Sequence, residues 1–261
     1  MSAPFAIAQV SPHPWEDEHE VGDFVRSLAR RLAGRGHRIV VLAPSRSPEL
    51  VRESRRLIRA GEFFAPDGEV QVLGVGELLP LSPSRRGAAP APPLDVARTL
   101  EDVLGRAPLD FVHVHEPFAP STASVALRQS RSLNVGTFHA PAERVISTQV
   151  ARRFVERFFG RLDARTASFD ATRLRMERAF PADYRVVRPG ADPPPPGAPV
   201  RGDGPLHIAF VDHEDRQALR LFLRALRRLP AGLDWRATVL TGPGARTPAL
   251  RSRLADRVTV V

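Results

Sequence analysis

The sequence predicts an α/β protein with parallel sheets, and three patterns support this prediction. Residues 4–10 (PFAIAQV) and 38–44 (RIVVLAP) are short apolar runs typical of buried strands. Between them, residues 21–35 repeat apolar side chains at helical spacing and end at Gly36, which indicates an amphipathic helix. The strand–helix–strand pattern then recurs along the chain, and such units place helices on both faces of a parallel sheet.

The elements that follow are also predicted to alternate. Strands are expected at residues 69–75, 110–116, 134–140 and 184–190. Helices are expected at residues 94–105, 121–131 and 145–160, with Ser121 as the N-cap of the second. Residues 80–93 are rich in Pro, Ala and Arg and are expected to form an exposed loop.

A run of four prolines, Pro193 to Pro196, divides the chain. Such a run favours a stiff, extended linker. We therefore predict a first domain over residues 1–188, a Pro/Gly-rich linker over 189–205 and a partial second domain over 206–261. The second domain is predicted to have strands at 206–212, 235–242 and 257–261, with helices at 215–229 and near 247–255. A unit of this size is marginal for an independent core, and its last strand would leave an open edge.

Composition excludes several kinds of chemistry. The chain has 261 residues, a formal charge of +9 and no cysteine, so disulfides, thiolate metal sites and cysteine nucleophiles are excluded. All 38 basic residues are arginine, which excludes lysine chemistry and leaves open whether the arginines reflect GC-rich coding or an anion-binding surface. No basic block is interleaved with aromatic residues, so we expect no nucleic-acid partner. The sequence shows no signal peptide and no membrane span, and a cytoplasmic protein is expected.

Two predicted strands end in polar residues that suit a binding site. The segment 113–121 (HVHEPFAPS) places His115 and Glu116 where a strand ends and a helix begins, and 136–140 (GTFHA) places His139 in the same way. Ligands of open parallel sheets bind at the carboxyl ends of the strands, where helix N-termini offer free N–H groups to anions. Each segment alone is also compatible with a purely structural role, but two on neighbouring strands favour a site.

The order of these motifs resembles that of family 4 glycosyltransferases, and most closely the phosphatidylinositol mannosyltransferase group. The matching pieces are SPHPW, GRGHRIVVLAP, DFVHVHEPFAPS, GTFHA and VVRPGAD. The resemblance implies the GT-B fold, with one complete Rossmann-like acceptor-side domain here and a partial nucleotide-sugar-side domain. It implies a catalytic role for His139 and substrate binding by His115, Glu116, Ser121, Thr137 and Arg216. It implies no metal ion and no cofactor, with a nucleotide sugar as donor substrate.

The chain departs from the family pattern on the donor side. The family's Gly-Gly loop after the first strand is His19-Glu20 here, within an acidic stretch of residues 16–20. Glycine lets backbone approach a phosphate, whereas acids repel it. The family's Gly-Arg and Lys-Gly pairs are replaced by Val211-Asp212 and Gln217-Ala218, which leaves Arg216 as the nearby cation. The family's Glu-x7-Glu motif would fall beyond residue 261.

Two functions follow from these departures as alternatives. In the first, the chain belongs to a retaining hexosyltransferase that acts on an alcohol or lipid acceptor, although this chain alone is inactive. In the second, it is a non-catalytic binding or scaffold relative. The expected partners are a small-molecule or lipid-linked acceptor and a second copy or completing polypeptide. Membrane association is expected to be weak or absent, because the helix 94–105 carries Asp95, Glu101 and Asp102 against one Arg98.

Overall fold

The computed structural model describes residues 3–77, 94–118, 122–139, 158–190, 204–212, 216–241 and 252–261. The chain divides into two compact units, Met1–Ala191 and Asp192–Val261. The linker predicted at 189–205 falls largely outside the described residues, as do the loop predicted at 80–93 and most of the helix predicted at 145–160.

The first unit contains a seven-stranded parallel sheet in the order β3-β2-β1-β4-β5-β6-β7. Its strands are β1 (Ala6–Val10), β2 (Arg38–Ser45), β3 (Gln71–Glu77), β4 (Phe111–His115), β5 (Leu133–Phe138), β6 (Ala164–Ala167) and β7 (Arg185–Val186). The winding direction reverses between β1 and β4. In doubly wound sheets this switch point is where ligands bind.

Five helices of the described residues belong to the first unit. They are α1 (Glu20–Ala33), α2 (Pro48–Ala60), α3 (Leu94–Arg106), α4 (Thr122–Gln129) and α5 (Asp170–Ala179). One face of the sheet packs on α1, where Val25 and Ala29 contact apolar side chains such as Ile39. The other face packs on α2, α3 and α4, and its core includes Leu42 and Leu100. The parallel sheet with helices on both faces confirms the α/β fold class predicted from the sequence.

Sequence patterns missed three elements of this unit. Nearly half of the residues of helix α2 are charged, and only Val51, Ser54 and Ile58 are buried, so its apolar stripe is narrow. Its ends nevertheless carry clear signals, since Ser47 accepts a hydrogen bond from the Leu50 amide at 3.2 Å and Gly61 has a φ of 79°. The other two are β6, with the sequence ARTA, and the polar helix α5, which both lack apolar periodicity.

The second unit has a three-stranded parallel sheet in the order β10-β9-β8. Its elements are β8 (Leu206–Asp212), α6 (Arg216–Leu226), β9 (Trp235–Thr241), α7 (Ser252–Ala255) and β10 (Val258–Val260). A small core contains Leu219, Leu226, Trp235, Val239 and Val258. The elements of this unit follow one another in the order β-α-β-α-β.

Candidate functional site

The candidate site lies at the carboxyl ends of β1, β4, β5 and β6. Because all four strands are parallel, the residues that follow them meet at one edge of the sheet. We call this edge the rim and define it by Ser11, Glu116, His139 and Ser168. Phe24 of α1 covers it from one side, with its ring edge-on to the His139 imidazole at a centroid distance of 4.8 Å.

Glu116 has an unusual backbone that holds the end of β5 in place. Its φ is 50°, and among the described residues it alone has a positive φ without being glycine. The Glu116 amide donates to the Thr137 carbonyl at 2.9 Å, and its carboxylate oxygen Oε1 accepts from the His139 amide at 2.7 Å. The carboxylate therefore fixes the position of the His139 backbone.

The His139 ring is bound on both nitrogens. Its Nδ1 lies 2.9 Å from the Ser168 hydroxyl, and its Nε2 lies 2.9 Å from Nδ1 of His115. On the far side of His115, Nε2 lies 2.9 Å from the Oε1 oxygen of Gln9. Gln9 and His115 are buried at 1% and 0% exposure, so this hydrogen-bonded row runs from the rim into the sheet across β4 and β1.

The orientation of the Gln9 side-chain amide sets the tautomers of both histidines. A glutamine carbonyl oxygen only accepts, so Nε2 of His115 must carry a proton. Nδ1 of neutral His115 then accepts from Nε2–H of His139. The remaining Nδ1 of His139 accepts from the Ser168 hydroxyl. Every bond runs in the same direction, and both rings are neutral with their protons on Nε2.

A second polar row lies beneath the first on the same face of the sheet. Nε2 of His113 is 2.6 Å from the Thr137 hydroxyl, which is 2.6 Å from the Thr166 hydroxyl. Thr137 is only 2% exposed. The two rows replace apolar packing in this part of the sheet, and their polar atoms find partners within the protein, as buried polar groups must.

Four histidines around the rim, His13, His113, His115 and His139, have their pKa lowered by their environment. Burial lowers the pKa of His139 to about 4, with the His19 and His13 rings acting in the same direction and the Glu20 carboxylate opposing them. Burial also lowers the pKa of His13 to about 4. The rings of His13 and His19 stack with centroids 3.6 Å apart, and the His19 ring lowers the pKa of His13 further.

The two histidines of β4 are affected more strongly. Burial lowers the pKa of His113 to about 3, and burial together with the neighbouring His113 and His139 rings holds the pKa of His115 well below 6.5. At neutral pH the imidazoles of His113, His115, His13 and His139 therefore carry no charge.

The acidic loop before α1 is bound to the end of β2. Oε1 of Glu16 accepts from the Ser45 hydroxyl, Oε2 accepts from the Arg46 amide at 3.0 Å, and Asp17 pairs with Arg46 at 3.0 Å. These two carboxylates therefore bind the end of β2 within the chain.

The N-terminus of α1 is capped from within the same loop. His19 is the N-cap, and its Nδ1 accepts from the Val21 amide at 3.1 Å. This amide is one of the N–H groups that a helix start would otherwise offer to an anion. The loop thus fills an anion position with an imidazole of the chain itself.

The structure brings four of the predicted site residues together. His115, Glu116, Thr137 and His139 are joined by the contacts given above, although His115 and Thr137 are buried and support the rim without reaching its surface. Ser121 lies outside the described residues. Arg216 is the first residue of α6 in the second unit. The roles predicted for these residues remain predictions.

Sequence reasoning missed Gln9, Ser168 and Phe24. Gln9 did leave a signal, because it is the one polar residue in the apolar run of residues 4–10. Ser168 and Phe24 had none, since a serine after a short polar strand and a phenylalanine on an amphipathic helix are both ordinary. Their roles follow from which strands and helices become neighbours.

The described residues offer neither a metal site nor a membrane-spanning helix. Within the described ranges, the His, Asp and Glu side chains form no group that could hold a metal ion. No described helix has the length and apolar character required to cross a membrane.

A family model described as Glycosyltransferase Family 4 matches residues 21–194. The chain is also similar to the phosphatidyl-myo-inositol mannosyltransferase of Mycolicibacterium smegmatis, with 26% identity over 249 residues. That alignment covers 91% of this chain and 59% of the relative. The chain therefore spans about three fifths of the length of this curated relative.

Solved structures show the same fold. A glycosyltransferase from Rickettsia africae has a TM-score of 0.62 and 14% identity, over 100% of this chain and 68% of that one. An Anabaena protein solved in complex with UDP and glucose has a TM-score of 0.58 and 12% identity, over 98% of this chain and 69% of that one. At these identities the likeness shows the GT-B architecture alone.

Proposed function

The chain belongs to glycosyltransferase family 4, and from this premise we propose that its first unit forms the acceptor half of a hexosyl-transfer site. The proposed reaction moves a hexose from a nucleotide sugar to an alcohol of a small-molecule or lipid-linked acceptor, with retention of configuration and without a metal ion. Transfer of mannose to phosphatidyl-myo-inositol is the specific candidate, because the relative from M. smegmatis carries that name.

The observation that supports this proposal best is the Glu116–His139 contact at the rim. A left-handed backbone at a residue other than glycine costs roughly 1–3 kcal/mol, and such residues cluster at functional sites. Here the strain places the Glu116 carboxylate 2.7 Å from the His139 amide, at the edge of the sheet where ligands bind. A loop that only connected β4 to α4 would not need this conformation.

The electrostatics of the rim suit glycosyl transfer. Breaking a glycosidic bond develops positive charge on the sugar ring in an oxocarbenium-like transition state. A protonated imidazole at position 139 would repel that charge, whereas the lowered pKa keeps His139 neutral. The carboxylate of Glu116 contributes negative charge at the same edge. We therefore assign His139 and Glu116 to contact the sugar and the acceptor hydroxyl.

The row behind His139 would position its ring during the reaction. Ser168 and His115 bind its two nitrogens, so the ring cannot rotate without breaking a hydrogen bond. Preorganised groups of this kind lower a barrier because they need no rearrangement when charge develops. Gln9 and His115 are therefore positioning residues in this proposal.

A second candidate function is binding without catalysis. It is favoured by the loop before α1, whose polar groups are already bound within the chain. A diphosphate needs N–H groups and cations at its site. The Val21 amide is already bound by His19, and the sequence places Asp212 where the family has a cation. We propose that the chain alone binds nucleotide sugars weakly, so transfer requires a donor half from elsewhere.

Calorimetric titration of the purified chain tests both functions. Myo-inositol 1-phosphate is the acceptor probe, and GDP-mannose and UDP-glucose are the donor probes. We expect the acceptor probe to bind, the Glu116→Gln variant to bind it at least tenfold more weakly, and the donor probes to bind negligibly. Glu53→Gln, on the exposed surface of α2, is the control of the same chemistry.

Three outcomes would contradict parts of this proposal. Absence of acceptor binding would argue against a site at the rim. Micromolar binding of a nucleotide sugar, lost in Arg216→Ala, would overturn the proposal that the chain alone binds donors weakly. Transfer of labelled mannose by the chain alone would exclude the non-catalytic function, whereas acceptor binding without transfer in any mixture would favour it.

A further inference from the structure

The sheet of the second unit has one face that no described helix covers. Both helices pack on the other face, where Leu219 of α6 and Leu254 of α7 belong to the small core of this unit. Because side chains alternate along a strand, the uncovered face is formed by every second residue of β8, β9 and β10 and by Val261, which follows β10. We call it the open face. Its residues are His207, Ala209, Val211, Arg236, Thr238, Leu240, Thr259 and Val261, and all except Thr238 are exposed.

An apolar row crosses the open face at the carboxyl end of its strands. Val211 lies beside Leu240 in the register of β8 and β9. Val261 lies on the other side of Leu240, since its amide donates to the Val239 carbonyl at 2.9 Å and its carbonyl accepts from the Thr241 amide at 2.7 Å. Val211, Leu240 and Val261 are 63%, 42% and 67% exposed. The three strands therefore present a continuous strip of aliphatic side chains to solvent.

The other end of the open face is polar and carries a positive charge. Arg236 lies beside His207 in the strand register, four residues before Leu240 and so about 13 Å along β9. It is exposed, and among the described residues it forms no ion pair, although Asp234 directly precedes the strand. The residues of β8, β9 and β10 place no acidic side chain on this face. The open face is thus apolar at one end and cationic at the other.

We propose that the open face binds an amphipathic α-helix of a partner polypeptide. Parallel sheets are normally covered by helices on both faces. Three strands span about 14 Å, and an α-helix with its side chains is about 10–12 Å wide, so a single helix covers most of the face. Aliphatic side chains of the partner helix pack on the row, and an acidic side chain about two turns away on the same helix face pairs with Arg236.

A second copy of the chain fits the open face less well. If two open faces overlap with their strands running in the same direction, Arg236 lies against its own counterpart, and like charges repel. If the strands run in opposite directions, Arg236 lies against the aliphatic row of the other copy and its charge is buried without a partner. The proposal rests on the sheet of the second unit alone and is independent of the transfer reaction proposed above.

Titration of a labelled synthetic peptide with the full chain, followed by fluorescence anisotropy, tests the proposal. The probe is a helical peptide of about 18 residues, with leucines on one face of its first half and glutamates on the same face of its second half. We expect saturable binding with a dissociation constant below about 0.1 mM, as for a small and transient interface. A matched peptide with lysine in place of glutamate should bind about fivefold more weakly.

Two pairs of variants locate the binding surface. Leu240→Glu places a carboxylate in the aliphatic row and should weaken binding more than about tenfold. Leu221→Glu is its control, because Leu221 is 62% exposed but belongs to α6. Arg236→Gln should weaken binding about threefold, whereas Arg228→Gln, at an exposed position outside the open face, should bind like the parent chain.

Each contrary result has a definite meaning. Absence of saturable binding up to about 1 mM chain would refute the proposal, and equal losses in Leu240→Glu and Leu221→Glu would show that the peptide binds elsewhere. Equal affinity for the lysine peptide would overturn the acidic character of the partner. Sedimentation equilibrium of the chain alone completes the test, since a dimer that Leu240→Glu abolishes, without peptide binding, would replace the helix by a second copy. A near-ultraviolet circular dichroism spectrum identifies any variant that fails to fold.

Discussion

The two sheets of the molecule consist of the same kind of parallel strand but are covered differently. In the first unit every residue of β2 after Arg38 is buried, because helices pack on both faces. In the second unit β9 alternates, with Trp235 and Val239 buried and Leu240 42% exposed. Among the described residues, alternation of buried and exposed side chains along a strand therefore shows how many faces of the sheet are covered. It does not show whether the strands run parallel.

The largest expected difference between the two sheets is the stability lost when one of their apolar side chains is truncated to alanine. Phe138→Ala removes a ring that is 1% exposed and packed against Phe118, so we expect a loss of about 3–5 kcal/mol in the unfolding free energy of the first unit. Leu240→Ala, in the second sheet, should lose less than about 1 kcal/mol because the side chain is partly solvated.

Urea unfolding followed by fluorescence measures both losses. The two tryptophans report separately, since Trp15 lies in the first unit and Trp235 in the second. Trp15→Phe and Trp235→Phe backgrounds isolate each signal. Losses of equal size at the two positions would show that the sheets are covered alike.

Acidification should also separate the two units. The pKa of His113 is about 3 in the folded chain and about 6.5 in an unfolded one, so lowering the pH from 7 to 5 adds a proton to the unfolded state only. Stability is thus retained above pH 6.5 and lost as the pH falls, by roughly 2 kcal/mol from His113 alone over this interval.

The lowered pKa values of His13, His115 and His139 act in the same direction. The second unit is the internal control, because its described histidine, His207, is exposed. Unfolding midpoints should fall with pH for Trp15 fluorescence and stay nearly constant for Trp235 fluorescence. A first unit equally stable at pH 5 and 7 would contradict the neutral histidine cluster.

Substitution of Gln9 tests the buried polar row. Gln9→Leu keeps the size of the side chain but leaves Nε2–H of His115 without an acceptor, which should lower stability by about 1–3 kcal/mol. Gln71→Leu on β3 is the matched control, because that side chain is only half-buried and bonds the neighbouring Val72 carbonyl. If both variants unfold like the parent chain, the row does not contribute to stability.

The smallest effect concerns the backbone of Glu116. Glycine adopts a positive φ freely, whereas alanine does not, so Glu116→Gly should be about 1 kcal/mol more stable than Glu116→Ala. Both variants lose the carboxylate, and their difference isolates the backbone. Equal unfolding free energies would show that position 116 is unstrained.

The sequence predicted the fold well because apolar periodicity reports packing. Strands such as β2 and β8 and the helix α1 were located to within a few residues. The elements that it missed, α2 and α5 among them, contain few apolar residues. Ser47 caps α2, whereas α5 has no side-chain cap at its N-terminus. Both helices depend on neighbours distant in the sequence, which a local pattern does not contain.

The site could be predicted only in part for a related reason. His115, Glu116 and His139 were found because each directly follows or ends a strand, and parallel strands share an edge. Gln9 and Ser168 depend on strand order, in which β1 lies beside β4 and β6 beside β5. The loop of Glu16 and Asp17 was expected to face a phosphate, but Ser45 and Arg46 bind its carboxylates instead.

The row from Ser168 to Gln9 has a directional property that its distances alone do not express. Turning the Gln9 side-chain amide by half a rotation exchanges an oxygen for a nitrogen and leaves its shape unchanged. The amide would then donate to His115, and all three bonds would reverse. The proton of His139 would move from Nε2 to Nδ1 and face Ser168. One buried amide thus selects between two proton arrangements of the same backbone.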